Sequence, residues 1–270
     1  DADHGWLLAG NEAIYRTDDG GRTWEQETIL GGTWTLHDLQ MVDATHGFAS
    51  GQVWREQRVA VFEYHPEDHE WQQILHDNYG AFHALAVHRS DAIWAAGLTL
   101  RDVCLSQRLA GGSWEMMDLP SAVSAMSFTN ARRGYAACSS GRVFETANAG
   151  ASWREKATPV LCDLDDIHFD GRDGIALSAA GGLAIVTENG GDSWAVERVP
   201  EGTASLAWDG SDHFAIAPDG LYLRQEIARV GPIVVEPLEM APMLDIEIRL
   251  PEERAWREAT ELDEPFPEHA

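Results

Sequence analysis

A tryptophan-ended phrase of eight residues that returns at a spacing near 40, stretches of period-two apolar–polar alternation between its copies, and turn residues punctuating them predict an all-β fold. The expected form is a single β-propeller of four-stranded blades. The phrase reads TDDGGRTW at 17–24, TANAGASW at 146–153 and TENGGDSW at 187–194, all fitting Ser/Thr-x-Asp/Asn-x-Gly-x-Ser/Thr-Trp. Looser copies, YHPEDHEW and QRLAGGSW, end at Trp71 and Trp114. The five terminal tryptophans are 47, 43, 39 and 41 residues apart. A period of about 40 residues with four strands per unit is the propeller signature.

Within a unit the order is strand, turn, strand, turn, strand, octet, strand. The first strands are LHDLQMVD, FHALAVHR, VSAMSFTN, LDDIHFDG and TASLAWDG. A small residue and an aromatic or aliphatic one open the second: Gly5-Trp6, Gly47-Phe48, Gly134-Tyr135 and Gly174-Ile175, with Ile93-Trp94 and His213-Phe214 as variants. The octet then joins the third strand to the fourth. Asp19, Asn148 and Asn189 can accept backbone N–H groups of their own turn. Gly21, Gly150 and Gly191 supply a conformation that side chains resist. Thr17, Thr146 and Thr187 open the octets and Thr23, Ser152 and Ser193 close the turns. Trp24, Trp153 and Trp194 start the outer strand and are expected to pack between units, so these fifteen residues are structural.

Units fall near 4–28, 36–77, 82–119, 122–158, 163–199 and 202–237. The first lacks an inner strand, and 243–250 (MLDIEIRLPEERAW begins there) is expected to supply it, closing a ring of six blades with the N- and C-terminal ends in one blade. The alternative count is seven, with Ala255-Trp256 opening a further unit. The propeller thus spans 1–250, and 251–270 reads as an acidic C-terminal tail.

The octets are Asp-boxes, the BNR repeat first described in bacterial sialidases. With the phrase HGWLLAGNEAIYRTDDGGRTW (4–24), they make the chain resemble the BNR-like propellers of the photosystem II stability and assembly factor family. That resemblance runs more loosely to about residue 230 and implies a non-enzymatic protein that binds and helps assemble other proteins.

The octet turns share one face of the disc. The loops between second and third strands, and those between blades, share the other, where variable loops sit on a rigid base. That face would carry 31–34, 52–56, 78–80, 99–102, 139–141 and 159–163. Trp34 and Trp54 belong to no octet. With Arg55, Tyr79 and Arg101 they are the candidate protein contacts, because exposed Trp, Tyr and Arg anchor interfaces. The opposing reading tucks both tryptophans under a neighbouring blade. Cys138 and Cys162 would lie on the same face, near enough in the chain's course for a disulfide to be considered, and export would favour one.

Chemistry is weakly supported. A sialidase needs an arginine cluster, a Tyr–Glu pair and an acid. The only approach to its aromatic-Arg-aliphatic-Pro motif is ERVP (197–200), with glutamate at the aromatic place and after the last octet. Xyloglucanase-type hydrolases carry these boxes but build their cleft between two propellers, and this chain can form one. His65 and His69 flank a turn with Glu67 and Asp68, and His83 and His88 fall on opposite strand faces, so neither pair reads as a metal site. There is no phosphate loop, dinucleotide fingerprint or serine elbow, and no cofactor is called for.

A formal charge of −26, from 45 acidic and 19 basic residues, argues against nucleic-acid partners and anionic membranes. Lys156 is the only lysine. No run of 18 apolar residues is present, so no direct membrane insertion is expected. The chain opens on Asp1, consistent with an exported, periplasmic form after processing or with a trimmed one. The expectation is therefore a protein-binding scaffold. The alternative is a carbohydrate-active or small-ligand propeller that uses the central mouth.

Overall fold

The structure, a computed structural model, describes residues 3–9, 13–29, 34–53, 58–77, 81–89, 92–98, 103–108, 114–119, 121–208, 213–218, 220–224 and 256–258. Among them there is no α-helix, only one short 3-10 turn at Ser139–Gly141. The strands form successive sheets arranged as a β-propeller.

The first sheet holds β1 (Gly5–Ala9), β2 (Ala13–Thr17) and β3 (Glu25–Gln26). The second holds β4 (Thr28–Ile29), β5 (Thr35–Asp43), β6 (His46–Val53), β7 (Arg58–His65) and β8 (Glu70–Asp77), with β4 parallel to β8 at the outer edge. The third is β9 (Ala81–Arg89), β10 (Ala92–Leu98), β11 (Val103–Arg108) and β12 (Trp114–Asp118). The fourth is β13 (Val123–Phe128), β14 (Gly134–Cys138), β15 (Val143–Thr146) and β16 (Arg154–Lys156). The fifth is β17 (Asp166–Asp170), β18 (Asp173–Ser178), β19 (Leu183–Thr187) and β20 (Ala195–Arg198). The last is β21 (Ser205–Trp208), β22 (His213–Ala217), β23 (Gly220–Arg224) and β24 (Trp256–Glu258). Three residues of the stretch expected as an acidic tail thus form an outer strand against β23. The segment 243–250, expected to complete the first sheet, lies outside the described residues.

Apolar side chains do not form one central core. They divide into five clusters, each filling the gap between two successive sheets. A recurring aromatic stack explains the Gly-aromatic landmark. Phe128 closes β13 opposite Gly134, and Phe169 lies in β17 opposite Gly174. A Cβ on either glycine would meet the opposing ring at 2.6 or 2.4 Å. Glycine is required there for space, as a floor under the ring. From the preceding sheet, Trp94 stacks on Phe128 at 3.7 Å and Tyr135 on Phe169 at 3.5 Å, both within 7° of parallel. The octet tryptophans then meet those phenylalanines edge-on, Trp153 at 6.3 Å and Trp194 at 6.0 Å. Face-to-edge arrangements of this kind suit the aromatic quadrupole. Each octet tryptophan of these two sheets therefore helps to lock a phenylalanine shared between two blades.

Candidate functional site

The octets come first, because they define which face is available. In each, the opening threonine accepts the glycine N–H four residues on: Gly21, Gly150 and Gly191 donate to Thr17, Thr146 and Thr187 at 2.9, 2.9 and 3.0 Å. The third residue accepts the N–H of the seventh at 2.9 Å in all three octets. Asp19 also accepts the Thr23 hydroxyl at 2.7 Å, whereas Asn148 and Asn189 donate their amide to Ser152 and Ser193. The hydrogen bonds from Thr23 and Thr17 lower the Asp19 carboxyl to about 2. The side-chain groups at the first, third and seventh octet positions are committed to their own turns.

The loop face is built differently. Between the fourth and fifth sheets, Ser139–Gly141 and residues 159–163 brace one another. The Ser140 N–H donates to Asp163 Oδ1 at 2.7 Å, and Thr158 Oγ1 donates to the Gly141 carbonyl at 2.5 Å. Ser140 and Gly141 both take the left-handed conformation, with φ of 58° and 71°. At Gly141 a Cβ would sit 2.1 Å from the Val160 carbonyl oxygen, so only glycine lets the two loops touch. The Leu164 N–H returns to the Cys138 carbonyl at 3.3 Å, re-entering the blade. The brace holds Leu161 at the surface, 90% exposed. Leu161 is thus a large apolar side chain held in water by a hydrogen-bonded loop.

Cys138 and Cys162 flank this brace as free thiols, not as a disulfide. Burial pushes the Cys138 thiol up to about 11, which makes it inert. Trp34 is only 3% exposed and sits in the gap between the first and second sheets, edge-on to Phe62 at 4.9 Å. It is a core residue and not a presented one: its indole completes an apolar gap that the sequence pattern did not reveal. Trp54, Arg55, Tyr79 and Arg101 lie outside the described residues. The sequence named 159–163 as part of the face without singling out Leu161, whose signal is an apolar residue in a connection between a proline and a cysteine.

The central mouth is lined by the innermost strands β5, β9, β13, β17 and β21. Their free edges are satisfied by side chains from the neighbouring sheet. Asp38 accepts the N–H groups of Leu39 and Leu85, both at 2.8 Å, and Gln40 bonds the Leu85 carbonyl and the Val87 N–H. Asp166 repeats the arrangement with Ile167 at 2.8 Å and Leu206 at 2.7 Å. Ser127 accepts the Phe169 N–H at 2.9 Å. Burial raises Asp38 to about 7, and the Asp166 charge adds to that rise although β9 and β13 stand between their strands. The ion pairs of Arg16, Arg133, Arg142, Arg154, Arg172 and Arg224 among the described residues engage other acids.

Of the histidines weighed as ligands, His69 bonds the Tyr64 hydroxyl through Nδ1 at 2.9 Å, and His83 meets His37 edge-on at 4.8 Å. Among the described residues no group of three or more His, Cys, Asp or Glu is placed to hold a metal ion. No described helix is long and apolar enough to cross a membrane.

No protein-family model matches the chain, and no curated protein matches it in sequence. Solved structures do match in fold. A chain of the nidogen/laminin complex aligns with a TM-score of 0.63 at 12% identity, covering 82% of this chain and 88% of that one. The Niastella koreensis GH74 enzyme aligns at 0.55 and 12% identity over 81% of this chain and 42% of its own. YCF48 from Cyanidioschyzon merolae aligns at 0.53 and 14% identity over 83% and 70%. This chain spans 61% of the length of the YCF48 chain solved with a D1 peptide, to which it aligns at a TM-score of 0.42 and 14% identity over 84% of its own length. The three likenesses with TM-scores above 0.5 show the β-propeller fold expected from the octets and Gly-aromatic phrases.

Proposed function

We propose that this chain is a non-enzymatic, six-bladed Asp-box propeller that serves as a scaffold for protein–protein interaction or complex assembly. The three-stranded sheet β1–β3 is read as the sixth blade. The observation that carries the function is Leu161, held 90% exposed by the brace between the fourth and fifth sheets. Trp54, Arg55, Tyr79 and Arg101 are proposed as further contacts on the same face. Protein-binding propellers supply the analogy: a chain of this fold occurs in the nidogen/laminin complex. A charge of −26 favours a protein partner over nucleic acid. The reading includes an exported, periplasmic location, which fractionation of the native host tests.

The test is affinity purification from that host with the unaltered chain, with Leu161→Asp, and with Trp54→Ala combined with Tyr79→Ala. Loss of one defined partner by these variants, at unchanged melting temperature, supports the reading. Retention of every partner overturns it. The buried carboxyls of Asp38 and Asp166, on innermost strands, favour a second reading, a carbohydrate or small-ligand site at the central mouth. Turnover on a glycan panel that Asp38→Asn abolishes would put that reading first.

A further inference from the structure

The first sheet is one strand short, and the shortfall has a shape. Its register matches that of the fourth and fifth sheets. Gly20 donates to the Asp3 carbonyl at 2.9 Å, as Ala149 does to Arg132 and Gly190 to Arg172, each acceptor lying two residues before the landmark glycine. Gly5 therefore stands where Gly134 and Gly174 stand. The opposing ring, however, is missing among the described residues. Among the described residues a Cβ on Gly5 would meet only Thr17 at 3.3 Å and Trp24 at 3.8 Å. A groove of about 230 Å³ occupies the place, lined by Gly5, Thr17, Gly21 and Trp24. Trp24 is left 39% exposed and Leu7 37%, whereas the residues equivalent to Leu7, Ala136 and Ala176, are buried. Within the described residues β1 pairs only with β2, leaving its inner edge without a ladder partner.

We infer that this edge is a docking site for residues 243–250 of the same chain, added antiparallel to β1 with Ile248 opposite Gly5. Two observations choose the occupant and its register. Asp245-Ile246-Glu247-Ile248 repeats the pattern of Asp38-Leu39-Gln40-Met41 and Asp166-Ile167-His168-Phe169. In those strands the first residue is the buried carboxylate and the last lies opposite Gly47 or Gly174. Ile248 thereby enters the groove beside Trp24, Ile246 faces Leu7, and Asp245 falls opposite Leu8. The chain's course allows it. β24 at 256–258 forms the outer edge of the last sheet, leaving residues 251–255 as a link. Such a link reaches about 20 Å. A main-chain ladder along an open edge is the usual mode of strand addition, and it removes an aggregation-prone edge.

The inference does not depend on what the loop face binds. Its test is a cysteine pair, Leu7→Cys with Ile246→Cys, in a full chain whose Cys104, Cys138 and Cys162 are replaced by alanine. Directly opposed residues lie within disulfide reach, so mild oxidation should give a monomeric linked product, identified by peptide mass spectrometry. Leu7→Cys with Glu247→Cys, which sets the second cysteine on the opposite strand face, should not link. A disulfide-linked dimer overturns the inference in favour of a second copy. Should the cysteine variants fold poorly, amide exchange on the unaltered chain decides. Protection of 245–248 comparable with 166–169 supports docking, and full exchange there overturns it.

Discussion

The first and fourth sheets share one framework and reverse its charges. In the fourth, Glu145 on β15 is the hub. Arg154 approaches it at 2.7 Å and Lys156 at 3.1 Å, and Lys156 continues to Asp192 in the next octet at 2.8 Å. In the first, the hub is Arg16 on β2. Asp18 contacts it, Glu27 bonds it at 2.7 Å, and Glu25 lies 3.9 Å away. Glu27 and Lys156 each stand three residues past an octet tryptophan, and Glu25 and Arg154 each stand one residue past it. At the hub and at both of these positions the sign is inverted. The lesson is that the same positions of two blades can hold an ion-pair cluster with either assignment of charge. The sheets part where the inner strand is concerned: Trp153 rests on Phe128, and Trp24 has no such ring among the described residues.

The largest effect should follow from removing the shared ring. Phe169→Ala deletes the platform for both Tyr135 and Trp194 and should cost about 3–5 kcal/mol in denaturant unfolding. A cost below about 1 kcal/mol would break the claim that these stacks hold the blades together.

Next comes the bridge. Lys156 is 7% exposed, and Lys156→Met strands Glu145 beside Asp192 with less positive charge, at a cost of about 2–3 kcal/mol. Glu27→Gln should cost less, because Arg16 keeps Asp18 and Glu25. Denaturant midpoints of the two variants, compared with the parent chain, check the order.

The reversal also predicts opposite pH dependence. Burial raises the Glu27 carboxyl, so its contribution is present at low pH and is lost as pH rises through its folded value. At Glu145 burial pushes upward too, but hydrogen bonds from Arg154 and Lys156 prevail and lower it. Its contribution is present above the unfolded value and is lost as pH falls through the folded one. Glu27→Gln should therefore be more damaging at pH 4 than at pH 7, and Glu145→Gln the reverse. Two urea titrations per variant suffice, and parallel shifts would remove the electrostatic part of the comparison.

The smallest effect on stability is expected at the loop face. Leu161→Ala should change unfolding free energy by no more than about 0.5 kcal/mol, since an exposed side chain has little to lose. A larger loss would show that Leu161 packs within the fold and is not presented to a partner.

Much of this was legible in the residues. The octets announce their own hydrogen bonds because donor and acceptor lie within four positions, and the landmark glycines announce a ring above them because the partner strand is a turn away. Trp34 was not legible: whether an isolated tryptophan is presented or buried depends on Phe62 and Ile14, brought to it by other strands. Leu161 was half-legible, its loop recognisable but its exposure set by the brace with Ser139–Gly141. The charge reversal was hidden because Lys156 and Asp192 lie 36 residues apart and no local rule links them.

By itself, then, the sequence determined the all-β repeat, the turns and the glycine-floored strand pairs, since each rests on contacts between residues close in the chain. Only the tertiary structure decided which tryptophans are buried, which acids are buried on the innermost strands, how charge passes from blade to blade and where the loop face offers an apolar side chain. Those outcomes depend on which surfaces remain after the sheets have packed, and no stretch of a single blade contains that information.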